Sequence, residues 1–300
     1  MVLDDYFQIF LRNCKQKKLA ATTINFYRMA LNPFINYCED NDKDFMNKNT
    51  INDYLEVVYA KYADPTIKGR FISLKVFFNA LYDMEYIDYN PMAKIKKPKL
   101  AKTLLETFSK RELDIILNYY DRNKDFIEHR NYAILSVLLG TGIRRAELIT
   151  LTMKNVEIDD GFIVVLGKGN KERFVPIGNV LRRVLKRYIR ARNEFLGNTL
   201  CRYVFITKDG RGMSESAVNT MFRTMKNSIK GINSRLSPHT FRHTFAKLFL
   251  INGGDLFSLQ KILGHEDISI TRIYVDYDEN ELVKQQSKFN PLDNTDWAIR

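Results

Sequence analysis

Six residues between Arg144 and Tyr274 could do chemistry together: Arg144, Lys168, His239, Arg242, His265 and Tyr274. They lie in the strings TGIRRAEL, LGKGNKERFVP, SPHTFRHTFA and LGHEDISITRIYVDY. Cations and imidazoles of this kind can clamp a phosphodiester, and a phenol can attack its phosphorus. Arg144 follows a helix predicted to end at Gly140 and Gly142 and opens the next one. A helix dipole and a bidentate guanidinium would therefore act on the same anion. Glu147, one turn later, is placed to orient that arginine or a neighbouring group. A Rossmann reading of GTGIRR fails, because the third glycine is absent and a helix precedes the string.

Two β-like runs in FIVVLGKGNKERFVPI flank Gly167, Gly169 and Asn170, which is hairpin-turn chemistry with Lys168 at the tip. A lysine there is a mobile acid able to reach a leaving oxygen. No GK pair is followed by Ser or Thr, which disfavours a nucleotide-hydrolysing phosphate loop. In SPHTFRHTFA, Ser237 or Pro238 opens a helix that carries His239 and Arg242 one turn apart. His239 and His243 also have the i, i+4 spacing of metal-binding histidines. An arginine between them repels a dication, and Thr240 stands where a zinc protease would place its glutamate, so the expected ligand is phosphate and the expected metal is none. Gly264 ends a further helix, His265 follows it in the turn, and Tyr274 lies nine positions on, on the next helical stretch. The chain has 16 tyrosines, so Tyr274 is singled out only by its place after LGH, and Tyr277 competes with it.

These residues must be positioned by elements of two kinds. Residues 1 to about 90 read as four amphipathic helices with no strand-like alternation. Leu3, Phe7, Phe10 and Leu11 share one face of the first. Thr22 or Thr23 can cap the second, with Phe26, Tyr27, Ala30, Phe34 and Tyr37 at helical spacing. Thr50 can cap the third, along Tyr54, Leu55, Val58 and Tyr62. Pro65 suits the first turn of the fourth, striped by Ile67, Phe71, Leu74, Phe78 and Leu81. The aromatics are expected in a core rather than stacked on bases. The stretch NPMAKIKKPKLAKT has two prolines, five lysines and no acid, and reads as an extended basic linker. Ser109 with Glu112 is a capping box that begins a mixed region. Helices are predicted there at 109–121, 126–139, 145–151, 178–195, 214–230, 239–253 and 256–263. A short sheet is predicted within 161–177. The expected organisation is a helical bundle over 1–90, a basic linker over 91–107, a mixed α/β domain over 108–277 and a tail over 278–300. In that tail Leu282, Val283 and Phe289 form a short amphipathic segment, and Trp297, the sole tryptophan, suits an anchor docked in trans on a neighbouring copy, with packing on its own domain as the alternative.

The bulk properties agree with a polyanionic partner. The formal net charge is +12, and each phosphate neutralised by Lys or Arg releases a condensed counterion. Cys14, Cys38 and Cys201 are odd in number and lack CxxC spacing, so neither a disulfide framework nor a thiolate metal site is expected. The start MVLDDYFQIF is not a secretory signal, and the longest apolar stretch, near residues 133–139, is too short to span a bilayer. An intracellular soluble protein in the reducing cytoplasm is expected, with no membrane partner.

Taken in order, TGIRRAEL, GKGNKERFVP, HTFRHTFA, LGH and the tyrosine nine positions later resemble the tyrosine recombinases, or phage integrase family, and most of all their Xer-like branch. Ile143 and the pair Arg145-Ala146 depart mildly from the usual filling. The resemblance implies a mainly α fold with a small β-sheet. It comprises an N-terminal SAM-like, core-binding helical bundle and a C-terminal mixed α/β catalytic domain that clamp DNA between them. It implies a site-specific recombinase in which Tyr274 forms a 3′-phosphotyrosine, Arg144 and Arg242 bind the non-bridging oxygens, Lys168 is the general acid, and His265 donates a further hydrogen bond to the phosphate. A base such as His239 would help ionise the phenol. No metal, ATP or other cofactor is implied. The implied partners are double-stranded DNA with inverted-repeat half-sites and further copies of the chain, in a tetramer on DNA. A second recombinase or an accessory protein could join them. The bundle starts within the first residues, so a two-domain form without an extra arm-binding domain is expected. Two other readings compete: a type IB topoisomerase-like nicking-closing enzyme, and a non-catalytic DNA-binding relative.

Overall fold

The computed structural model describes residues 2–99, 105–120, 125–167, 171–275 and 279–289. The chain divides into two compact units, residues 1–103 and 104–300.

The first unit is built from α1 (Leu3–Gln16), α2 (Ala21–Asp40), α3 (Lys48–Lys61) and α4 (Asp64–Asp83). Asp4 and Asp5 in the first turn of α1 and Lys15 in its last complement the helix dipole. Leu3, Phe7, Phe10, Leu11 and Cys14 then fall on one buried stripe. The core is aromatic: Phe10 meets Phe77 edge-on at 5.5 Å, and Phe34 meets Tyr54 at 5.1 Å. Phe26 departs from the expected stripe. It is 48% exposed and lies across Gly69, where a Cβ would come within 3.2 Å of its ring.

Two caps also differ from expectation. The N-cap of α2 is Ala20, whose carbonyl accepts from the N–H groups of Thr23 and Ile24. Alanine is the best helix former, so Ala21 carries the helix back past the threonines. The N-cap of α3 is Asn47, which accepts from Asn49 N–H at 2.9 Å and leaves Thr50 buried inside the first turn. Asparagine outranks threonine as a cap. Pro65 does sit in the first turn of α4.

The second unit opens with the Ser109–Glu112 capping box and α5 (Lys110–Leu117). That helix stops four residues short of expectation, because the Asn118 side-chain amide donates to the Asp114 carbonyl and ends the ladder. The central element is α6 (Phe126–Thr141), whose run Ala133–Leu139 is apolar but for Ser136 and which packs between α8 (Asn179–Leu196) and α10 (Pro238–Ile251). Gly142 closes α6 in the left-handed conformation at φ 62°, and a Cβ there would lie 2.4 Å from the Phe245 ring. The chain therefore turns at once into α7 (Arg145–Thr150).

A three-stranded antiparallel sheet follows in the order β1 (Val156–Glu157), β2 (Phe162–Leu166), β3 (Glu172–Pro176), the first of which the sequence did not announce. Ile163 pairs with Val175, and Val165 with Arg173. Period-two alternation places Arg173 on the same inward face as buried Val175. Beyond α9 (Glu215–Ser228) and α10 come α11 (Leu256–Leu263), α12 (Ile268–Arg272) and α13 (Glu279–Phe289). The helical stretch expected to carry Tyr274 is α12, which ends at Arg272 and leaves the tyrosine in the following turn, and α13 was not among the expected helices. On α13, Gln285 donates to the carbonyls of Leu250 and Ile251, and Lys288 to that of Asn252. Leu282 and Val283 stay exposed. No described helix is long and apolar enough to cross a membrane.

Candidate active site

Helix ends bring the chemistry-bearing residues together. Arg144 is the N-cap residue of α7; its backbone N–H donates to Glu147 Oε2 at 2.7 Å and its Nη1 to Oε1 at 3.0 Å. Its Nη1 also points at the Leu263 carbonyl, 3.4 Å away. Arg242 lies one turn inside α10, whose N-cap is Ser237 with Pro238 in the first position. It is 5% exposed and donates to the carbonyls of Gly142 at 2.6 Å and Leu263 at 2.8 Å. The two guanidiniums thus converge on one carbonyl at the end of α11.

Arg242 Nη2 also lies 2.7 Å from His265 Nε2. Arginine has no acceptor, so Nε2 accepts and the ring proton sits on Nδ1, which donates to Thr271 Oγ1 at 2.8 Å. Both ring nitrogens of His265 are committed to the protein in this arrangement, whereas the family resemblance implied a donor to phosphate. Burial first, and then Arg242, Arg144 and Arg173, push its pKa down to about 4, so the ring is neutral near pH 7. Burial and the Arg144 charge lower Arg242 to about 10, which leaves it protonated.

Sequence reasoning passed over Arg173. Its Nη1 and Nη2 each lie 2.8 Å from one oxygen of Glu147, and its Nε donates to the Ile262 carbonyl at 2.8 Å. Burial alone would raise the Glu147 pKa, but hydrogen bonds and charge from Arg173 and Arg144 hold it below the usual carboxylate range. Its alternation with Val175 is the signal that marks Arg173 as inward-pointing.

Tyr274 follows α12 and is 5% exposed. Its ring lies between two imidazoles, His243 at 5.6 Å and His265 at 6.5 Å. Its hydroxyl is 3.0 Å from His243 Nδ1. Burial raises the phenol pKa, and Arg242 and Arg144 offset part of that rise. His239 is exposed at the start of α10. Desolvation and then Arg145, Arg242, Arg235 and Arg144 lower its pKa, which places it within the field of the arginine cluster. Lys168 lies outside the described residues, as do Tyr277 and Trp297; the hairpin beside Lys168 closes with Gly167 N–H donating to the Lys171 carbonyl at 2.8 Å. Lys171 pairs loosely with Glu266 at 3.8 Å, next to His265.

The cluster holds three guanidiniums, Arg144, Arg173 and Arg242, against the single carboxylate of Glu147. With its histidines neutral it retains a positive excess, which suits a phosphodiester. Among the described residues no group of three or more His, Cys, Asp or Glu could hold a metal ion.

Known proteins share both units. Residues 106–281 match the phage integrase family, and residues 5–85 match the phage integrase N-terminal SAM-like domain. The chain is 31% identical to tyrosine recombinase XerD of Listeria innocua over 97% of this chain and 98% of that one. It is 33% identical to tyrosine recombinase XerD of Staphylococcus saprophyticus over 92% and 95%. The fold is similar to that of the XerH site-specific recombinase bound to a palindromic difH substrate in a post-cleavage complex. The TM-score is 0.74 at 22% identity, over 91% of this chain and 82% of that one. By both matched regions and by relatives that share nearly its whole length, the chain belongs to the phage integrase family, as an enzyme of the tyrosine recombinase class with Xer-type relatives.

Proposed function

We propose that this chain cuts and rejoins DNA at specific sites through a 3′-phosphotyrosine on Tyr274, without metal or ATP. The observation that carries this reading is the convergence of Arg144 and Arg242 on the Leu263 carbonyl, beside a buried tyrosine hydroxyl. Scissile phosphate would take the two non-bridging oxygens to those guanidiniums, which stabilise the charge of the pentacoordinate transition state. Each well-aimed donor is worth about 3 to 4 kcal/mol in comparable sites. Glu147 fixes Arg144 by its side chain and backbone at once. Lys168 protonates the departing 5′-oxygen, His239 assists at the exposed rim, and His265 holds Arg242. The tyrosyl ester keeps the phosphoester energy until a second 5′-hydroxyl attacks, so ATP has no role.

The substrate is double-stranded DNA carrying inverted-repeat half-sites. The helical unit (1–90) and the catalytic unit (108–277), joined by the basic segment 91–107, grip it as a clamp. Strand exchange between two sites requires four protomers; α13 bonds to the end of its own α10, so within residues 278–300 it is the exposed Leu282 and Val283 that remain for docking in trans. A second recombinase or accessory protein can complete the assembly, and a DNA substrate places the enzyme with the nucleoid in the cytoplasm. Relatives named as recombinases over nearly the full length favour this reading over a topoisomerase-like one.

The test is a nicked substrate that traps the covalent complex. Wild-type protein should form a protein–DNA adduct in EDTA, and Tyr274→Phe should form none. An adduct in Tyr274→Phe, or loss of cleavage in EDTA, overturns the reading.

A further inference from the structure

The phenol that must attack is buried and its pKa is raised, so ionisation ahead of the reaction is scarce. A base has to accept the proton as the bond to phosphorus forms. Among the described residues, His239 makes no hydrogen bond to the Tyr274 hydroxyl, whereas His243 lies 3.0 Å from it through Nδ1.

We propose that His243 is the general base for Tyr274, a role resting on the phosphotyrosine reading above. Helix α10 presents Arg242 and His243 as consecutive residues, so a single rigid element sets both the phosphate clamp and the proton acceptor. The two rings sit at 5.6 Å, and Tyr274 is closed off from bulk solvent, which leaves His243 as the positioned acceptor. Burial, and then His239 and Arg242, lower the His243 pKa, so the ring is neutral near pH 7 with a free lone pair. Accepting at Nδ1 requires the tautomer with its proton on Nε2. The titratable and charged groups around it are His239 and Arg242 on its own helix and Tyr274 from the segment after α12. Lys247, one turn further along α10, is paired with Glu281 of α13 at 3.1 Å.

The step balances. Tyr274 Oη forms a bond to phosphorus, its proton passes to His243 Nδ1, the P–O5′ bond breaks, and the 5′-oxygen takes a proton from Lys168. In rejoining, the imidazolium returns its proton to the departing Tyr274 oxygen while the attacking 5′-hydroxyl gives its own to the neutral Lys168 amine.

The experiment measures single-turnover covalent complex formation on the nicked substrate from pH 6 to 10, for wild type, His243→Ala and His243→Asn. Asparagine keeps a polar atom near the Nδ1 position but cannot take a proton. Both variants should bind the DNA as wild type does and cleave about 100-fold more slowly near pH 7, the size of a lost general base. Their rates should climb with pH as the phenol ionises unaided. A 5′-bridging phosphorothiolate, whose thiolate leaves without an acid, should rescue Lys168→Ala and not His243→Asn. Cleavage by His243→Asn within about threefold of wild type, faster cleavage, or rescue by the phosphorothiolate overturns the proposal. Failure of the phosphotyrosine reading is a separate result: an adduct that persists in Tyr274→Phe.

Discussion

Arg173 and Glu147 form a bidentate ion pair, both N–O distances 2.8 Å, with the carboxylate side chain only 4% exposed. The pair joins β3 to α7, and through Arg173 Nε it also reaches the carbonyl of Ile262 on α11. The strand that leaves the Lys168 turn is thereby tied to the helix start that carries Arg144. Arg173→Ala strands Glu147 with half its partners and should cost about 3 kcal/mol, the usual result of breaking a buried pair. Arg173→Lys should recover little of it, since an ammonium cannot reproduce the planar fork. Urea denaturation reads the stability, and the nicked-substrate assay should show a parallel loss of cleavage as Arg144 loses its fixed partner.

Two carboxylates set the acid limit of the second unit. For Glu112, burial would raise the pKa. The N–H groups of Ser234, Ser109 and Asn233 and the Ser109 hydroxyl bring it instead to about 2. Glu147 is lowered as well. A depressed carboxylate stabilises the fold fully above its unfolded pKa, and that contribution is lost as pH falls through the folded one. Stability should therefore be level from pH 7 to about 5 and decline from there toward pH 2. Glu112→Gln should flatten the decline while lowering the plateau, as read from denaturation midpoints across that range.

The helices were legible because their apolar residues recur at helical spacing and their neighbours carry turn chemistry; Ser109, Ser237, Pro65 and Gly142 all act as their types suggest. At Asn47 two acceptable caps compete and local pattern does not decide between them, whereas Ala20 has no capping side chain and starts the helix because Ala21 extends it past the threonines. Arg173 carries no turn or motif signal, since the glycines and asparagine of the hairpin mark only its tip, and alternation with Val175 alone places this arginine inside. His243 was recognised only by its spacing from His239 and set aside as a metal ligand. Its nearness to Tyr274 spans 31 residues of chain and exists only once the turn after α12 comes back against α10. The partner of His265, Thr271, looks like any helix threonine until the ring orientation set by Arg242 exposes the second bond.

That double engagement makes His265 a prop for Arg242. Thr271→Val leaves the ring without its Nδ1 partner and should slow cleavage modestly, by about tenfold or less, with a stability loss of about 1 kcal/mol. His265→Gln, whose Oε1 can stand in for Nε2 as acceptor, should retain more activity than His265→Ala. Equal losses in the two would show that the contact to Arg242 is not what the ring contributes.

Gly264 turns α11 toward His265 at φ 63°, and a Cβ there would come within 2.9 Å of Arg173 Cδ. Gly264→Ala meets both a backbone penalty and a displaced guanidinium, and should cost about 1 to 3 kcal/mol. Its cleavage defect should resemble that of Arg173→Ala, and the double variant should lose less than the sum of the two, since both act on the same ion pair.

Arg144 and Arg242 face the same phosphate in the proposed mechanism, yet the protein depends on them differently. Arg242 is buried and satisfies the carbonyls of Gly142 and Leu263 as well as His265. Arg144 keeps 40% of its side chain exposed, and its carboxylate partner retains Arg173 when it is removed. Arg242→Ala should therefore lower stability by about 2 to 4 kcal/mol through the unpaired groups it leaves. Arg144→Ala should cost less than about 1 kcal/mol, as for a partly exposed ion pair. Both should reduce cleavage by about 100- to 1,000-fold, the loss expected when one aimed donor to the transition state disappears. Denaturation and single-turnover cleavage on the same preparations separate the two effects. A stability loss in Arg144→Ala as large as that in Arg242→Ala would mean that the exposed guanidinium is structural, and that the convergence on Leu263 is not a phosphate clamp.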